Sequence, residues 1–531
     1  MSNNIYLSSV LEQLPRLLGQ INTNKLSSTY GCCDRQYWHN NTVAFPAARY
    51  QEAVLTLALL YKNYDTPYMG NQHILDLINA CISYWIKIQE QNGSFNEWYP
   101  HEGSYVATAF TSYAVSETLL ILGKEKIADY DQAVGSLVKS AEWLMSKTEK
   151  LVCNQQTGAL IALYNTYLLT DNPAFKTAAN NYEKIISACQ KEEGWFLEYG
   201  GADIGYLSLT IDYLAKYHQK TGSSEIEKVI NKAIDFIINF IHNDGTAGGV
   251  YSSRNTEYLI PHGFELFSDK NENASYIAQN IKRSLEHKKG VSLHSLDDRY
   301  LMYIAYTWLQ AAIAIKGDMV KTDIDRDCYF FLPESGLYVN RKNGIEVIAN
   351  LKKTGAFHFS NGSKRIDDSG ILINGKRNLF SGYISHNINV VETSEKGFIV
   401  EGGFHEVKEN LLSPIKNILL YMFQFTIGRI PFLNKPVKTL LRKKMILNQK
   451  PVKTMLRRQL MVLDNGIEIK DEIINPPAFN NILVGGKLSF IYVPSSRFFQ
   501  EENISNESLL IHTPQTLKEE NGIAVINRVI I

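Results

Sequence analysis

The chain has 531 residues, is 45% hydrophobic and 20% charged, and balances 54 Lys and Arg against 54 Asp and Glu. That supports two or three packed cores and excludes a disordered chain. Six cysteines (Cys32, Cys33, Cys81, Cys153, Cys189, Cys328) form no CxxC pair, so all are read as free thiols, with no metal site expected. The first residues lack a basic region followed by an apolar one, and no apolar run of about 18 residues occurs, so a cytoplasmic protein without a signal peptide or transmembrane helix is expected.

Before residue 320, apolar residues recur at three- and four-residue spacing in about twelve segments, among them 46–64, 71–91, 104–123, 129–147, 202–222 and 224–243. Between them lie glycine-aromatic-acid clusters: NGSFNEWYPHEGSY from Asn92, EEGWFLEYGGADIGY from Glu192 and NDGTAGGVYSSRNTEY from Asn243. Their glycines Gly93, Gly194 and Gly245 are 101 and 51 residues apart, two units and one unit of a helical-hairpin repeat of roughly 50 residues. Six such hairpins make an α/α toroid whose clusters converge on one rim.

Taken in order, CCDRQYWHNN offers Trp38 and His39 as substrate contacts, or an N-terminal loop packed over the toroid. The first cluster offers Trp98 for stacking on a sugar, Glu102 for binding, and His101 and Tyr105 for acid-base work; Glu102-Gly103-Ser104 equally suits a helix cap. In the second, Glu198, Tyr199 and Asp203 are candidate sugar contacts, with Asp203 better read as an N-cap. In the third, Arg254 and Asn255 suit neutralisation of a carboxylate, and Tyr258 or His262 suits proton transfer. Asn255, Tyr258 and His262 follow three- and four-residue steps, so a helix there projects them from one face, although Pro261 interrupts the pattern. Asp297 and Asp298 are read as caps at a helix start.

From about residue 321 the pattern becomes strand alternation around NG and KG turns, the signature of antiparallel hairpins, which places a domain boundary between Lys316 and Asp327. The expected organisation is an incomplete toroid over 1–320 and a β-sandwich over 321–531. An insertion at 410–463 has no Asp or Glu and eleven Lys and Arg around the apolar ILLYMFQFTIG. It reads as a surface for an anionic partner, with peripheral membrane contact through 416–458, or as a pair of Lys-rich solvated edge strands. No nucleic-acid partner is expected, since no recognition module is readable.

The toroid-then-sandwich order, with Tyr, His, Asn and Arg at the cleft, resembles the heparinase II/III-like polysaccharide lyases and the related alginate lyases. ESGLYVNRKNGIEVIANLKKTGAFHFSNGSKRIDDSGILINGK, from Glu334, resembles the start of their β-domain, and SHNINVV, from Ser385, resembles a His-Asn-Thr-Val strand found there. The resemblance implies β-elimination on an anionic, uronate-containing polysaccharide or oligosaccharide, with His386 reaching the cleft from the sandwich. The basic insertion and the degenerate His-Asn strand depart from that pattern. A toroid glycoside hydrolase or epimerase using Glu102, Glu198 or Asp203 is the first alternative. A non-catalytic membrane-surface protein of a surface-polysaccharide pathway is the second. No cofactor is expected, because no P-loop, dinucleotide fingerprint, HExxH or GxSxG occurs.

Overall fold

The computed structural model describes residues 4–531 except 64, 148–151, 316–326, 384–386, 408–412, 427–429, 431–449, 487–509 and 518. The helical part comprises α1 (Ile5–Leu18), a single-turn α2 (Arg35–Trp38), α3 (Ala53–Lys62), α4 (Gln72–Lys87), α5 (Tyr105–Leu122), α6 (Tyr130–Met145) and α7 (Cys153–Thr170). It continues with α8 (Pro173–Cys189), α9 (Ile204–Thr221), α10 (Ser224–Ile237), α11 (Pro261–Phe267), α12 (Glu272–Glu286) and α13 (Asp298–Ala314). Helices α3, α5, α7, α9, α11 and α13 each pack on the next, and α13 returns to α3. The ring therefore closes, where an incomplete toroid was expected. Helices α4, α6, α8, α10, α12 and α1 form the outer layer, each antiparallel partner packed on its inner helix.

Burial follows the layers. Inner α5 buries Phe110, Tyr113, Val115 and Leu119 on several faces, whereas outer α10 buries one stripe, Ile226, Val229, Ile230, Ala233 and Ile237. Among the described residues one helix, α5, is long and apolar enough to cross a membrane, and 67% of that stretch is buried inside the ring. The sequence reading had found no such run.

The repeat is visible in the loops. Glu90, Lys191 and His242 donate their backbone N–H to Ser94, Trp195 and Thr246 at 2.9, 2.9 and 2.8 Å. Gly93, Gly194 and Gly245 donate back to Glu90, Lys191 and His242 at 2.9 Å, with φ of 87°, 105° and 86°. A Cβ on Gly93 would stand 2.3 Å from the Lys139 carbonyl oxygen, and one on Gly194 2.4 Å from that of Lys232, so positive φ and close approach both require glycine.

Strands β1 (Cys328–Leu332), β2 (Leu337–Lys342), β3 (Ile345–Asn350), β4 (Ala356–Ser360) and β5 (Arg365–Asp368) form an antiparallel meander. The second sheet holds β6 (Ile371–Gly375), β7 (Leu379–Ser381), β8 (Asn389–Ser394), β9 (Gly397–Val407), β10 (Lys450–Leu463), β11 (Gly466–Ile474), β12 (Phe479–Val484), β13 (Leu510–His512), β14 (Glu519–Glu520) and β15 (Ile523–Ile530). Its order is β13-β12-β6-β7-β9-β10-β11-β15-β14, with β8 on β9. The first sheet is buried on both faces: Leu337, Val339 and Ile348 join the toroid core, while Tyr338, Val347 and Phe357 meet Phe398, Val400, Leu460 and Ile469 of the second sheet. Period-two alternation thus makes this sheet the middle layer, and it holds the β-domain against the toroid rim. The expected boundary at 316–327 falls almost wholly outside the described residues; the last toroid helix ends at Ala314 and the first strand begins at Cys328.

Candidate functional site

The rim is built by the three cluster loops and the first turns of α13. Arg299, on α13, lies 4.2 Å from the Trp98 ring, and its Nε donates to the Tyr303 hydroxyl at 2.6 Å. A row of tyrosines runs from there: Tyr303 to Tyr300 at 5.8 Å, Tyr300 to Tyr258 at 5.9 Å, Tyr258 to Tyr206 at 6.4 Å and Tyr206 to Tyr199 at 5.8 Å between ring centroids. Arg254 closes the far end, 4.6 Å over the Tyr199 ring. Cations thus bracket a wall of ring faces and hydroxyls, a lining suited to an anionic sugar chain. Trp98 is 52% exposed and Tyr258 only 3%, while Tyr199 and Arg254 are half-buried, so the row dips into the interior between two partly open ends.

Asn255 follows Arg254 in a left-handed conformation, φ 59°. His101 and Tyr199 are also left-handed, at 57° and 53°, so each cluster loop carries one such residue. For Tyr199 that geometry costs of order 1–3 kcal/mol, met by its packing against Arg254 and Tyr206. The Asn255 Oδ1 accepts from Lys353 Nζ at 3.0 Å and from the Tyr383 hydroxyl. Lysine only donates, so the atom facing it must be the amide oxygen, which leaves the Asn255 Nδ2 available to an acceptor. The Lys353 hydrogens are shared between that oxygen, the Tyr383 hydroxyl at 2.6 Å, the Val250 carbonyl at 3.2 Å and the Ser252 carbonyl. Burial pulls this ammonium well below the usual lysine range; Asp203 opposes the shift and Arg254 reinforces it. The toroid loop and the β-domain therefore meet in one buried polar knot directly behind Asn255.

Burial also drives the Tyr258 hydroxyl well above the ordinary tyrosine range, with Tyr300 and Tyr206 adding to it. Tyr199 is raised for the same first reason, with Glu198 adding and Arg254 opposing.

Arg254, Asn255, Tyr199 and Trp98 thus stand at one rim, with Tyr258 buried beneath it. The single helical face predicted for Asn255, Tyr258 and His262 is not formed: helix α11 begins only at Pro261, and 255–260 is irregular. Proline suits the first helical position, so it starts this helix instead of interrupting one. His262 is turned into the ring core, its Nδ1 2.8 Å from Asp212, which also pairs with Lys216. Burial lowers the His262 pKa, with Asp212 opposing.

The remaining candidates have structural partners. His101 Nδ1 lies 3.1 Å from Glu90, and the Tyr105 hydroxyl 3.0 Å from that of Tyr182. Glu102 accepts the backbone N–H of Glu97 and Trp98 at 3.1 and 2.8 Å, tying the loop together. Glu198 is occupied by the Asn154 backbone at 2.9 Å and its Nδ2 at 2.8 Å. Asp203 caps α9 through Tyr206 and also accepts the Arg254 backbone N–H at 2.8 Å. Trp38 donates its indole N–H to the Gln20 carbonyl at 2.8 Å, and His39 lies against the Trp38 ring on the exposed N-terminal loop. His386 lies outside the described residues. Sequence alone does not single out Lys353 or Tyr383, and it offers Arg299 only as part of the Asp-Asp-Arg start of α13.

The fold, an α/α toroid followed by antiparallel sheets, is shared with two solved proteins at low sequence identity. The chain is similar to xanthan lyase from Paenibacillus, with a TM-score of 0.53 and 11% identity over 91% of this chain and 46% of that one. It is also similar to chondroitin AC lyase from Streptomyces coelicolor, solved with chondroitin sulphate, with a TM-score of 0.52 and 10% identity over 90% of this chain and 67% of that one. The chain therefore spans about half the length of the first and two thirds of the second. No protein-family model and no curated protein matches the chain.

Proposed function

We propose that this chain is a polysaccharide lyase that cleaves a uronate-containing glycan by β-elimination. The observation that carries the reading is the pinned Asn255 amide beside Arg254: one cation and one oriented N–H donor face the place where a uronate carboxylate must be neutralised before its C5 proton can leave. Tyr300, as its phenolate, then takes the C5 proton, and the Tyr258 hydroxyl gives its proton to the leaving oxygen as the C4–O bond breaks and the C4–C5 double bond forms. Burial keeps Tyr258 protonated at neutral pH, which suits the donating step. Trp98 and Tyr199 stack on flanking sugars.

The hydrolase alternative needs a free carboxylate pair across one bond. Glu198 and Asp203 are instead occupied by backbone and side-chain donors, which weighs against them in that role. Closer kinship with heparinase II/III-like lyases belongs to the same proposal and rests on the strand sequence from Glu334. So does a setting at the cytoplasmic face of a membrane in a surface-polysaccharide pathway, with peripheral contact through 416–458.

The test is ultraviolet absorbance of the unsaturated uronate product across a panel of uronate polysaccharides, with wild type and Tyr258→Phe. A rise that Tyr258→Phe abolishes is expected. A rise that persists undiminished in the variant, or reducing ends released without any absorbance, would overturn the assignment.

A further inference from the structure

Helix α14 (Pro414–Phe425) is exposed at most of its described residues. Ser413 caps it, its side chain accepting the Lys416 backbone N–H at 3.3 Å, and Pro414 occupies the first position, so both signals of a true helix start are present. Along it, Ile415 is 71% exposed, Ile418, Leu419 and Met422 60% each, and Phe425 58%. Steps of three and four residues put these on one stripe, with the half-exposed Tyr421 ring stacked 6.3 Å from that of Phe425. Lys416 is the only charge on the helix. At 12 residues it is about 18 Å long, too short to span a bilayer.

The flanking charge identifies the occupant. The segment 410–463 contains no acid. Not all of its eleven cations are surface charge, however. Arg458 is buried between Asp368 and Asp471, and Arg457 pairs with Glu401 at 3.0 Å. Lys416, Lys450 and Lys453 remain exposed among the described residues. A second copy docking on this stripe would bring two cationic faces together, which is unfavourable. An anionic bilayer satisfies both features at once, taking the apolar stripe below its headgroups and Lys416 among them, with Lys450 and Lys453 as further exposed cations of the chain.

We propose that α14 is an in-plane membrane anchor for anionic lipid. Phe425 borders the same pocket as Phe45, Asn96 and His101, so the helix ends beside the rim loop that carries Trp98. Docking turns that rim toward the lipid. If the lyase reading holds, on which this last step alone rests, the substrate is a glycan presented at the membrane surface.

The experiment is co-sedimentation of the full chain with vesicles of phosphatidylcholine, alone or mixed with phosphatidylserine. It is run on wild type, on Ile418→Asp/Leu419→Asp and on Lys450→Glu/Lys453→Glu, with light scattering in parallel. Both substitution pairs are at exposed positions and leave the fold intact. Expected are pelleting with phosphatidylserine only, loss of at least about tenfold in the apolar variant, and a salt-sensitive loss in the lysine variant. No pelleting, equal pelleting with both lipids, or an undiminished apolar variant each overturns the anchor. A dimer that Ile418→Asp/Leu419→Asp dissolves would assign the stripe to a second copy instead. None of these outcomes depends on whether the protein is a lyase.

Discussion

Lys353 of the β-domain donates its ammonium to the Asn255 side chain of the toroid at 3.0 Å, across 98 residues of sequence. With the Tyr383 hydroxyl, it holds the Asn255 side-chain oxygen toward the β-domain. Replacement by Met removes the donor and leaves the Asn255 oxygen and the Ser252 carbonyl less satisfied in a dry seam, at a cost of about 2 kcal/mol. Lys353→Met is expected to lower kcat by about tenfold or more, at a KM changed much less, with the urea midpoint falling. Lys353→Arg should recover part of the rate. An unchanged kcat in a destabilised Lys353→Met protein would make the residue purely structural.

In the proposed reaction Arg254 and Tyr258 act at different stages, and their variants separate them. Arg254→Lys keeps the charge and loses the planar fork, so KM for a uronate substrate is expected to rise while kcat falls less. Tyr258→Phe removes one buried hydroxyl and no ring, so stability changes little and kcat falls by about 100-fold or more. Steady-state kinetics on both checks this. Equal effects on KM from the two would refute the division of roles.

What the sequence made legible was local. The period of Gly93, Gly194 and Gly245 could be read because each meets the same turn requirement, and the Asp203 cap because capping needs only its own helix. Arg254 and Asn255 stand out for a similarly local reason, in a loop dense with polar side chains. Lys353 and Tyr383 do not, since nothing near them in sequence distinguishes them; packing of the first sheet on the toroid brings them to Asn255. His262 was misplaced because three- and four-residue spacing means a shared face only inside a helix, and this helix starts at Pro261. Arg458 shows the converse failure, since a run of cations in sequence hides one that is fully buried.

Glu52 gives the toroid a pH dependence of definite sign. Burial pushes its carboxyl up to about 7, against the 2.7 Å ion pair with Arg49 that opposes the shift. Between the unfolded value of 4.5 and about 7 the folded protein therefore binds more protons at this site than the unfolded chain. Its contribution is fully present below the unfolded value and is lost as pH rises through the folded one, an effect of about 3 kcal/mol. Glu52→Gln is expected to flatten this part of the stability curve relative to wild type. Melting temperatures from pH about 4.5 to 7 check it, and parallel curves for the two proteins would exclude the assignment.

In the β-domain, Arg458 and Arg528 alternate with Asp368 and Asp471 in a buried quartet. Arg458 reaches Asp471 at 2.6 and 2.9 Å and Asp368 at 3.1 Å, and Arg528 closes the square at 2.6 and 2.9 Å. The four charges cancel only together. Arg458→Met leaves two buried carboxylates facing one guanidinium, so a loss of about 3–5 kcal/mol is expected, with Arg458→Lys intermediate because it keeps charge without the bidentate fork. All six tryptophans precede residue 309, so their fluorescence follows the toroid while far-ultraviolet circular dichroism also sees the strands. Urea unfolding of Arg458→Met should therefore lose strand signal before tryptophan signal if the sheets yield first. A wild-type midpoint by both probes would show that the quartet contributes nothing, whereas a coincident shift of both would show that the seam around Lys353 makes toroid and sandwich unfold as one unit.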